Sequence, residues 1–268
     1  MIASARMYSW SPSLASAWRR LLAWVGKTAG VDLTIMDESD PTPLDELWAR
    51  DDMGCVFMCG YPWALRRDPP ALLASLAPSP PRYGGRAAYV TDFIVRADSP
   101  HETLADTFGG AIAYSTEYSH SGYNAPRYHL LAHLTSERHA FYRSVLGPFV
   151  RQRPCLDAVV KGEADVAAID GYALDLLRRH DASAAARVRV IETTAPAPSP
   201  PLVASPGIDA GARGRLTRAL TEAHGAADAR PLLDELLLAR FDRVTPADFA
   251  VFLDRERAAR DAGYPKLA

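Results

Sequence analysis

The feature that most constrains the fold of this chain is a repeated alternation of short apolar runs with segments of helical periodicity. Residues 2–8 form a strand candidate, and large apolar side chains then recur at helical spacing over residues 14–25. Residues 54–59 are apolar throughout, which is typical of a strand covered on both faces of a parallel sheet. The alternation predicts α/β sheets with ligand contacts at the carboxyl ends of their strands.

Two longer predicted strands divide this pattern into two lobes. Residues 87–96 and 188–204 are expected to carry the chain from one lobe to the other. We therefore predict a two-lobed clamshell with two crossing strands and a central cleft. The predicted first lobe contains residues 1–92 and 191–268, and the predicted second lobe is the inserted segment 93–190.

Much of the remaining predicted first lobe is assigned to helices. Residues 71–76 are predicted to form a short helix. The chain after residue 204 is predicted to be helical over residues 213–224, 230–238 and 245–260, because apolar residues recur there at helical spacing.

Charge and hydropathy exclude several classes of partner. Lys plus Arg number 30 and Asp plus Glu number 32, which gives a formal charge of −2. A nearly neutral chain offers no electrostatic footprint for nucleic acid or an anionic membrane. No run of about 18 apolar residues occurs, so membrane insertion through a transmembrane helix is excluded.

The cysteine and histidine spacings do not predict a metal or cofactor site. Cys55, Cys59 and Cys155 are odd in number and scattered, which argues against a disulfide framework. Cys55 and Cys59 lie in an apolar strand, where we expect buried structural thiols rather than a redox role. His129 and His133 are four residues apart, but no third ligand is evident, and a surface or packing role is favoured. We therefore expect neither a metal nor a cofactor.

A hydroxyl-rich loop between a predicted strand and a predicted helix is the main candidate site. Residues 110–114 are apolar, residues 115–121 are rich in hydroxyls, and an apolar helical repeat follows through Leu134. A helix start attracts anions, because its N–H groups lack partners and carry a partial positive charge. Two interpretations are open: Ser121 is a plain helix cap, or the loop hydroxyls donate to a bound oxyanion.

Several short motifs occur in a characteristic order around this loop. An Arg and an Asp-Ser-Pro turn occupy residues 96–100, a Leu-x-Asp helix start occupies 104–106, and Ser-His-Ser-Gly-Tyr occupies 119–123. A helix, a Gly-Glu-x-Asp turn and a strand ending in an acid follow over residues 156–170. From about residue 54 to about residue 220, the chain resembles the phosphonate-binding type of ABC-importer solute receptors, which have the type II periplasmic-binding-protein fold.

The resemblance implies a small anionic ligand of the phosphate, phosphite or phosphonate type in the interlobe cleft, and an ABC permease as the partner protein. By this analogy the side chains of Ser119 and Ser121 and the N–H groups of Gly122 and Tyr123 grip the oxyanion. The other implied ligand contacts are His120, Tyr8, Trp10 and Tyr61, and Asp170 takes the position from which the family contacts a ligand amino group or a cation.

Several of these residues are equally suited to structural roles. Asp170 follows an apolar strand and could cap the next helix as well as contact a ligand. Tyr8, Trp10 and Tyr61 follow predicted strands and could be core aromatic residues. Glu117 would repel a bound dianion unless it points to solvent or recognises a cationic part of the ligand.

Two features depart from the family pattern. His120 stands where the family usually has Thr, so an imidazole that is neutral or cationic near pH 6.5 replaces a hydroxyl. Residues 1–8 lack the charged and apolar regions of an export signal. The location is therefore predicted to be periplasmic if a signal peptide has been removed, and cytoplasmic if the chain is complete as written.

The leading functional prediction is a receptor that closes on a small oxyanion, as the solute receptor of an ABC importer or a cytosolic homologue. The alternative is a cytosolic enzyme of the same fold in cofactor biosynthesis, of the thiamine-pyrimidine or menaquinone type, with His120 as acid or base. A third hypothesis is a ligand sensor that docks a protein partner on residues 213–260. No catalytic residue is assigned from the sequence.

Overall fold

The chain divides into two units, each built around its own sheet. The first unit comprises Met1–Ala88 and Pro198–Asp248, and the second comprises Tyr89–Ala197 and Phe249–Ala268. The residues that the computed structural model describes are 1–37, 43–137 and 139–268.

Strands and helices alternate along most of the described chain. The strands are β1 (Ile2–Ser4), β2 (Thr34–Ile35), β3 (Met53–Phe57), β4 (Ala71–Pro78), β5 (Ala88–Tyr89), β6 (Thr91–Arg96), β7 (Ala111–Ala113), β8 (Ser144–Leu146), β9 (Val166–Asp170), β10 (Val188–Thr193), β11 (Ala197–Pro198), β12 (Pro201–Ala204) and β13 (Leu238–Asp242). The helices are α1 (Pro12–Ala29), α2 (Leu44–Leu47), α3 (Gly60–Ala64), α4 (Ala125–Leu130), α5 (Gln152–Lys161), α6 (Gly171–His180), α7 (Ala182–Ala185), α8 (Ala210–Glu222), α9 (Arg230–Glu235) and α10 (Ala250–Asp261). Short 3₁₀ turns lie at Pro81–Tyr83, Leu104–Thr107, Leu131–His133, Ala223–Gly225 and Pro246–Phe249.

A mixed sheet in the order β13-β4-β12-β3-β1-β2 organises the first unit. β1 is parallel to β2 and β3, whereas β12 is antiparallel to both β3 and β4. All residues of β3 are buried, as its apolar sequence predicts. α1 begins after Ser11, whose Oγ accepts a hydrogen bond from the Leu14 N–H at 3.3 Å, and ends at Ala29, where Gly30 caps it with a φ of 58°. The helix predicted from the spacing of residues 14–25 is confirmed.

The second unit contains a sheet in the order β10-β6-β9-β7-β8. β7 is parallel to both β8 and β9, and β6 is antiparallel to β9 and β10. Because β7 and β9 are parallel neighbours, their carboxyl ends lie at the same edge of the sheet. The hydroxyl-rich loop after β7 and the acid at the end of β9 therefore start from one edge, where α/β proteins place ligand contacts.

One strand of the first unit was predicted to be helical. β4 covers the segment 71–76, whereas the helix predicted over residues 230–238 is present as α9 and is followed by β13. β4 pairs with β12 on one side and β13 on the other, and most of it is buried. Ala and Leu favour a helix when considered locally, but a segment with sheet partners on both sides gains cross-strand packing that outweighs this weak propensity.

The C-terminal segment was predicted to lie in the first lobe, but the structure places Phe249–Ala268 in the second unit. The unit boundaries also lie after residues 88 and 197, not after 92 and 190. The Asn124 side chain donates to the Phe252 carbonyl at 3.0 Å, and Arg127 donates to the Pro265 carbonyl at 2.5 Å. These contacts join residues about 130 positions apart, so local sequence patterns could not reveal them.

Candidate functional site

The loop after β7 leads into a helix whose first turn is π-helical (His120–Asn124) and which continues as α4. Ser119 is the residue that caps it, since its Oγ accepts a hydrogen bond from the Gly122 N–H at 2.9 Å. The predicted order of strand, hydroxyl loop and helix is therefore confirmed. The cap is Ser119, whereas the plain-cap interpretation of the sequence had placed it at Ser121.

The hydroxyl groups of Ser115, Ser119 and Ser121, at or just before this helix start, do not donate their hydrogens within the described protein. Ser119 Oγ accepts from Gly122, and Ser121 Oγ accepts from Gln152 Nε2 at 2.6 Å. Ser115 Oγ is buried and has no hydrogen-bond partner. Among the described residues, none of the three hydroxyls donates its hydrogen to a protein acceptor. A hydroxyl that only accepts within the protein can still donate to a ligand oxygen.

Gly122 is required by the close packing of this loop. A Cβ at position 122 would overlap Ser115 Oγ and would lie 3.1 Å from Ser119 Oγ. The glycine therefore lets the backbone of the helix start approach the two serines. This is a steric role, distinct from the donated N–H that the resemblance implied, because that N–H is already bonded to Ser119.

His120 lies in the packed interior of the second unit. It is 1% exposed, and its ring lies against Phe252 with a centroid distance of 4.4 Å. Nε2 lies 3.2 Å from Arg255 Nη1, and Nδ1 lies 3.3 Å from Asn124 Nδ2. A guanidinium can only donate, so Nε2 is the accepting nitrogen of this imidazole.

Burial, and secondarily the Arg255 cation, hold the pKa of His120 well below its ordinary value of 6.5. A charged imidazole would be desolvated and would face donor groups at both ring nitrogens. The sequence left open whether His120 is neutral or cationic. The surroundings of the ring favour the neutral form at pH 7, which adds no charge to the loop.

Two buried arginines supply positive charge beside the helix start. Arg127 donates to Asn124 Oδ1 at 3.0 Å and to the Pro265 carbonyl, and Arg255 donates to the Pro196 carbonyl at 2.7 Å. Neither guanidinium pairs with a carboxylate in the part of the chain that the structure describes. Burial lowers the pKa of Arg255, but a guanidinium remains charged at pH 7.

Asp170 caps the helix that follows β9. Its Oδ1 accepts a hydrogen bond from the Ala173 N–H at 3.0 Å, and its own N–H donates to Gln152 Oε1 at 2.8 Å. The capping role, one of the two interpretations of the sequence, is therefore present. A ligand contact from Asp170 remains a prediction.

The predicted aromatic contacts occupy different environments. Tyr8 is buried and packs on Trp18 and Phe57, with centroid distances of 6.0 and 5.2 Å, as a core aromatic residue does. Trp10 is half-buried and donates from Nε1 to the Met7 carbonyl at 3.2 Å. Tyr61 is buried in α3. All lie in the first unit, and their contact with a ligand remains a prediction.

The side chain of Tyr123 belongs to the core of the second unit. Its ring lies 5.3 Å from that of Tyr114, and its hydroxyl accepts from the Leu267 N–H at 3.3 Å. Only its backbone is therefore suited to the implied oxyanion contact. Glu117 is exposed, which agrees with the solvent-facing alternative.

Three residues that contact the loop were not singled out from the sequence. Gln152 starts α5, Arg255 lies in α10, and Asn124 connects His120 with Arg127. Gln152 is 31 residues from its serine partner and Arg255 is 135 residues from His120. The sequence pattern predicts a helix over residues 154–161, but α5 begins two residues earlier, at Gln152.

The described residues contain no group of three or more His, Cys, Asp or Glu side chains suited to a metal ion. His129 instead pairs with Glu192 and packs on Phe93. The three cysteines are free and buried, which confirms the buried thiols predicted at Cys55 and Cys59, and burial raises the pKa of Cys55 and Cys155 to about 12. Among residues 1–37, 43–137 and 139–268, no helix is both long enough and apolar enough to cross a membrane.

A serine-capped helix start at the carboxyl edge of a sheet lies where α/β proteins place ligand contacts. A family model described as the phosphonate periplasmic substrate-binding protein of ABC transporters matches residues 8–249. The chain belongs to this family of periplasmic solute-binding proteins. A search of curated proteins found no match to it.

Solved structures confirm the fold. The chain is similar to a binding protein component of an ABC phosphonate transporter from Pseudomonas aeruginosa, with a TM-score of 0.78 and 16% identity over 98% of this chain and 87% of that one. PhnD1 from Prochlorococcus marinus in complex with methylphosphonate gives a TM-score of 0.77 and 12% identity over 97% of each chain. MatC from Rhodopseudomonas palustris with bound malate gives 0.61 and 15% over 98% of each. The predicted α/β periplasmic-binding-protein fold is confirmed.

Proposed function

We propose that this protein binds a small oxyanion of the phosphate, phosphite or phosphonate type at the helix start after β7. The carrying observation is the set of hydroxyls of Ser115, Ser119 and Ser121, whose hydrogens no described acceptor takes. Hydrogen bonds to a charged acceptor are stronger than neutral ones, so an oxyanion is the ligand that gains most from such donors.

The charge distribution supports the same ligand class. The cations of Arg127 and Arg255 are buried in the second unit without a carboxylate partner among its described residues. Buried charge is screened less than surface charge, so these cations favour an anion nearby. Glu117, the acidic residue of the loop, is exposed to solvent.

Family membership supports a transport role. We propose that the protein delivers its ligand to an ABC permease, and that it works in the periplasm when it is exported. PhnD1, a structural relative, was solved with methylphosphonate, whereas MatC was solved with malate. The structural relatives thus hold different small anions, and the ligand of this chain has to be measured.

The geometry supports binding over catalysis. The enzyme hypothesis assigned an acid or base role to His120, but this side chain is buried and both of its ring nitrogens face other side chains of the protein. A general acid or base has to reach the proton that it transfers, at hydrogen-bond distance or through one water.

The experiment is titration calorimetry of the protein with phosphate, phosphite, methylphosphonate and methanesulfonate. We expect at least one of them to bind, and to raise the thermal midpoint by mass action. A hydrogen bond to a charged group contributes about 1.5–3 kcal/mol, so Ser121→Ala is expected to weaken binding by roughly 10-fold or more.

The matched control is Ser136→Ala, which removes an exposed serine of the same unit. It is expected to bind as tightly as the wild type. Absence of binding by all four anions would contradict the proposal, as would equal affinities for the Ser121→Ala and Ser136→Ala variants.

A further inference from the structure

Gln152 connects the two helix starts at the ends of β7 and β9. Its Oε1 accepts from the Asp170 N–H at 2.8 Å, and its Nε2 lies 2.6 Å from Ser121 Oγ. A backbone N–H can only donate, so this contact fixes which end of the amide is the oxygen. Nε2 must therefore donate to Ser121.

This donated hydrogen bond determines how the Ser121 hydroxyl can act. The hydroxyl has one hydrogen and two lone pairs, and Gln152 occupies one lone pair. The hydroxyl hydrogen cannot point at Nε2, because that nitrogen has no lone pair to offer. It is thus directed away from Gln152 and remains available as a donor.

We propose that Gln152 is a positioning residue that keeps the Ser121 hydroxyl a hydrogen-bond donor to the bound oxyanion. This inference rests on the proposed function of the same site. Gln152 acts through Ser121 and needs no contact of its own with the ligand. It also sets a preference, because a donor at this point makes a stronger hydrogen bond to an ionised ligand oxygen than to a protonated one.

The Ser119 hydroxyl is oriented in the same way as that of Ser121, but by a backbone donor. Its Oγ accepts from the Gly122 N–H, so the helix backbone has the effect there that Gln152 has at Ser121. A backbone donor is set by the fold, and only a proline, which would also disturb the helix start, removes it. A side-chain donor can be removed, which makes Gln152 the place where this arrangement can be tested.

The test is a double-mutant cycle with Gln152→Met and Ser121→Ala, measured by calorimetry with every anion of the panel of phosphate, phosphite, methylphosphonate and methanesulfonate. Gln152→Met is expected to weaken binding about 10-fold in the wild-type background, because the hydroxyl loses the donor that orients it. In the Ser121→Ala background it is expected to change binding less than about 2-fold, since non-additivity reports two residues that act as one.

Gln152→Glu provides a second variant with nearly the same shape. The carboxylate can still accept from the Asp170 N–H, but it would also accept the Ser121 hydrogen and turn it from the ligand. We expect a loss of at least 10-fold. Arg153→Lys, which alters the next residue of α5 and keeps the charge, is the control and is expected to bind like the wild type.

Three results would overturn the inference. Wild-type affinity in Gln152→Met would show that the amide does not matter. An equal loss in the presence and absence of Ser121 would show that Gln152 acts by another route. A wild type that binds none of the anions would remove the proposed function as well, whereas the first two results would leave that function standing.

Discussion

The helix starts after β7 and β9 lie at the same sheet edge, but they satisfy their first N–H groups with different chemistry. At the start of α6, which follows β9, the carboxylate of Asp170 accepts a hydrogen bond from the Ala173 N–H. At the β7 helix, the hydroxyl of Ser119 accepts from the Gly122 N–H, and Ser115 and Ser121 lie beside it. Asp170 and Ser119 both cap a helix, but only the serine-capped start has hydroxyl hydrogens that it can donate to a ligand.

The difference shows that the residue type of a cap decides what else the cap can bind. A carboxylate has only lone pairs, so a helix start capped by one repels an anion. A serine that accepts from the backbone still has its O–H hydrogen. The same helix geometry therefore completes a fold after β9 and provides a candidate anion site after β7.

The largest effect is expected from a substitution of Gly122, which lies in the serine-capped helix start after β7. Gly122→Ala places a Cβ against Ser115 Oγ, and overpacking of this kind costs about 1–3 kcal/mol. We expect the free energy of unfolding in urea to fall by about 3 kcal/mol. Ser115→Ala in the same chain should restore part of this loss, because it removes the overlapping oxygen and leaves Ser115 Cβ at 3.3 Å.

Gly214→Ala is the control for this substitution. It lies within α8, and a Cβ there would meet no atom within 4 Å. Alanine is the better helix former by about 1 kcal/mol, so stability should rise slightly. A Gly122→Ala protein as stable as the wild type would show that the loop relaxes without cost.

The second effect is the pH dependence of stability that arises from His120, the buried histidine of the serine-capped helix. The folded pKa of His120 is depressed, so the unfolded chain binds a proton at acidic pH that the folded chain does not. Stability is therefore complete above about pH 6.5 and falls below it, by up to about 1.4 kcal/mol per pH unit. His120→Gln should flatten the dependence of the unfolding free energy on pH between about 6.5 and 5.

The comparison for His120→Gln is the slope with pH, not the absolute stability, since a buried substitution also changes packing. An unchanged slope in His120→Gln would mean that His120 takes up its proton in the folded protein.

The smallest effects are expected from removing the two capping side chains, Asp170 and Ser119. Asp170→Ala and Ser119→Ala should each lower the unfolding free energy of the ligand-free protein by about 1 kcal/mol, the usual cost of losing a cap. Asp170→Asn should cost only a few tenths of a kcal/mol. Thermal unfolding with a bound oxyanion should then separate the pair, because Ser119→Ala alone is expected to reduce the stabilisation by the ligand. Equal reductions in both would contradict the distinction.

Much of the fold was accessible from local pattern. The apolar run that became β3, the helix α1 and the strand β9 were all predicted, because burial imposes a period that the sequence must carry. β4 was not, because its Ala- and Leu-rich residues suit a helix and only its sheet partners on both sides make it a strand.

The candidate site was predicted only in outline. The serines at 119 and 121 followed from the loop composition and the family motif. The role of Gln152 did not, since it depends on α5 bringing an amide to a serine 31 residues earlier in the chain. The neutral state of His120 likewise depends on Arg255 and Phe252, which reach it from the C-terminal helix.

The sequence by itself determined the family, the α/β class and the hydroxyl-rich helix start, because these depend on composition and on contacts between near neighbours. The tertiary structure alone decided which serine caps the helix, which hydroxyls keep their hydrogens and where the C-terminal segment packs. The physical reason is that a hydroxyl is both donor and acceptor. Its role is therefore determined by whichever group the fold places next to it.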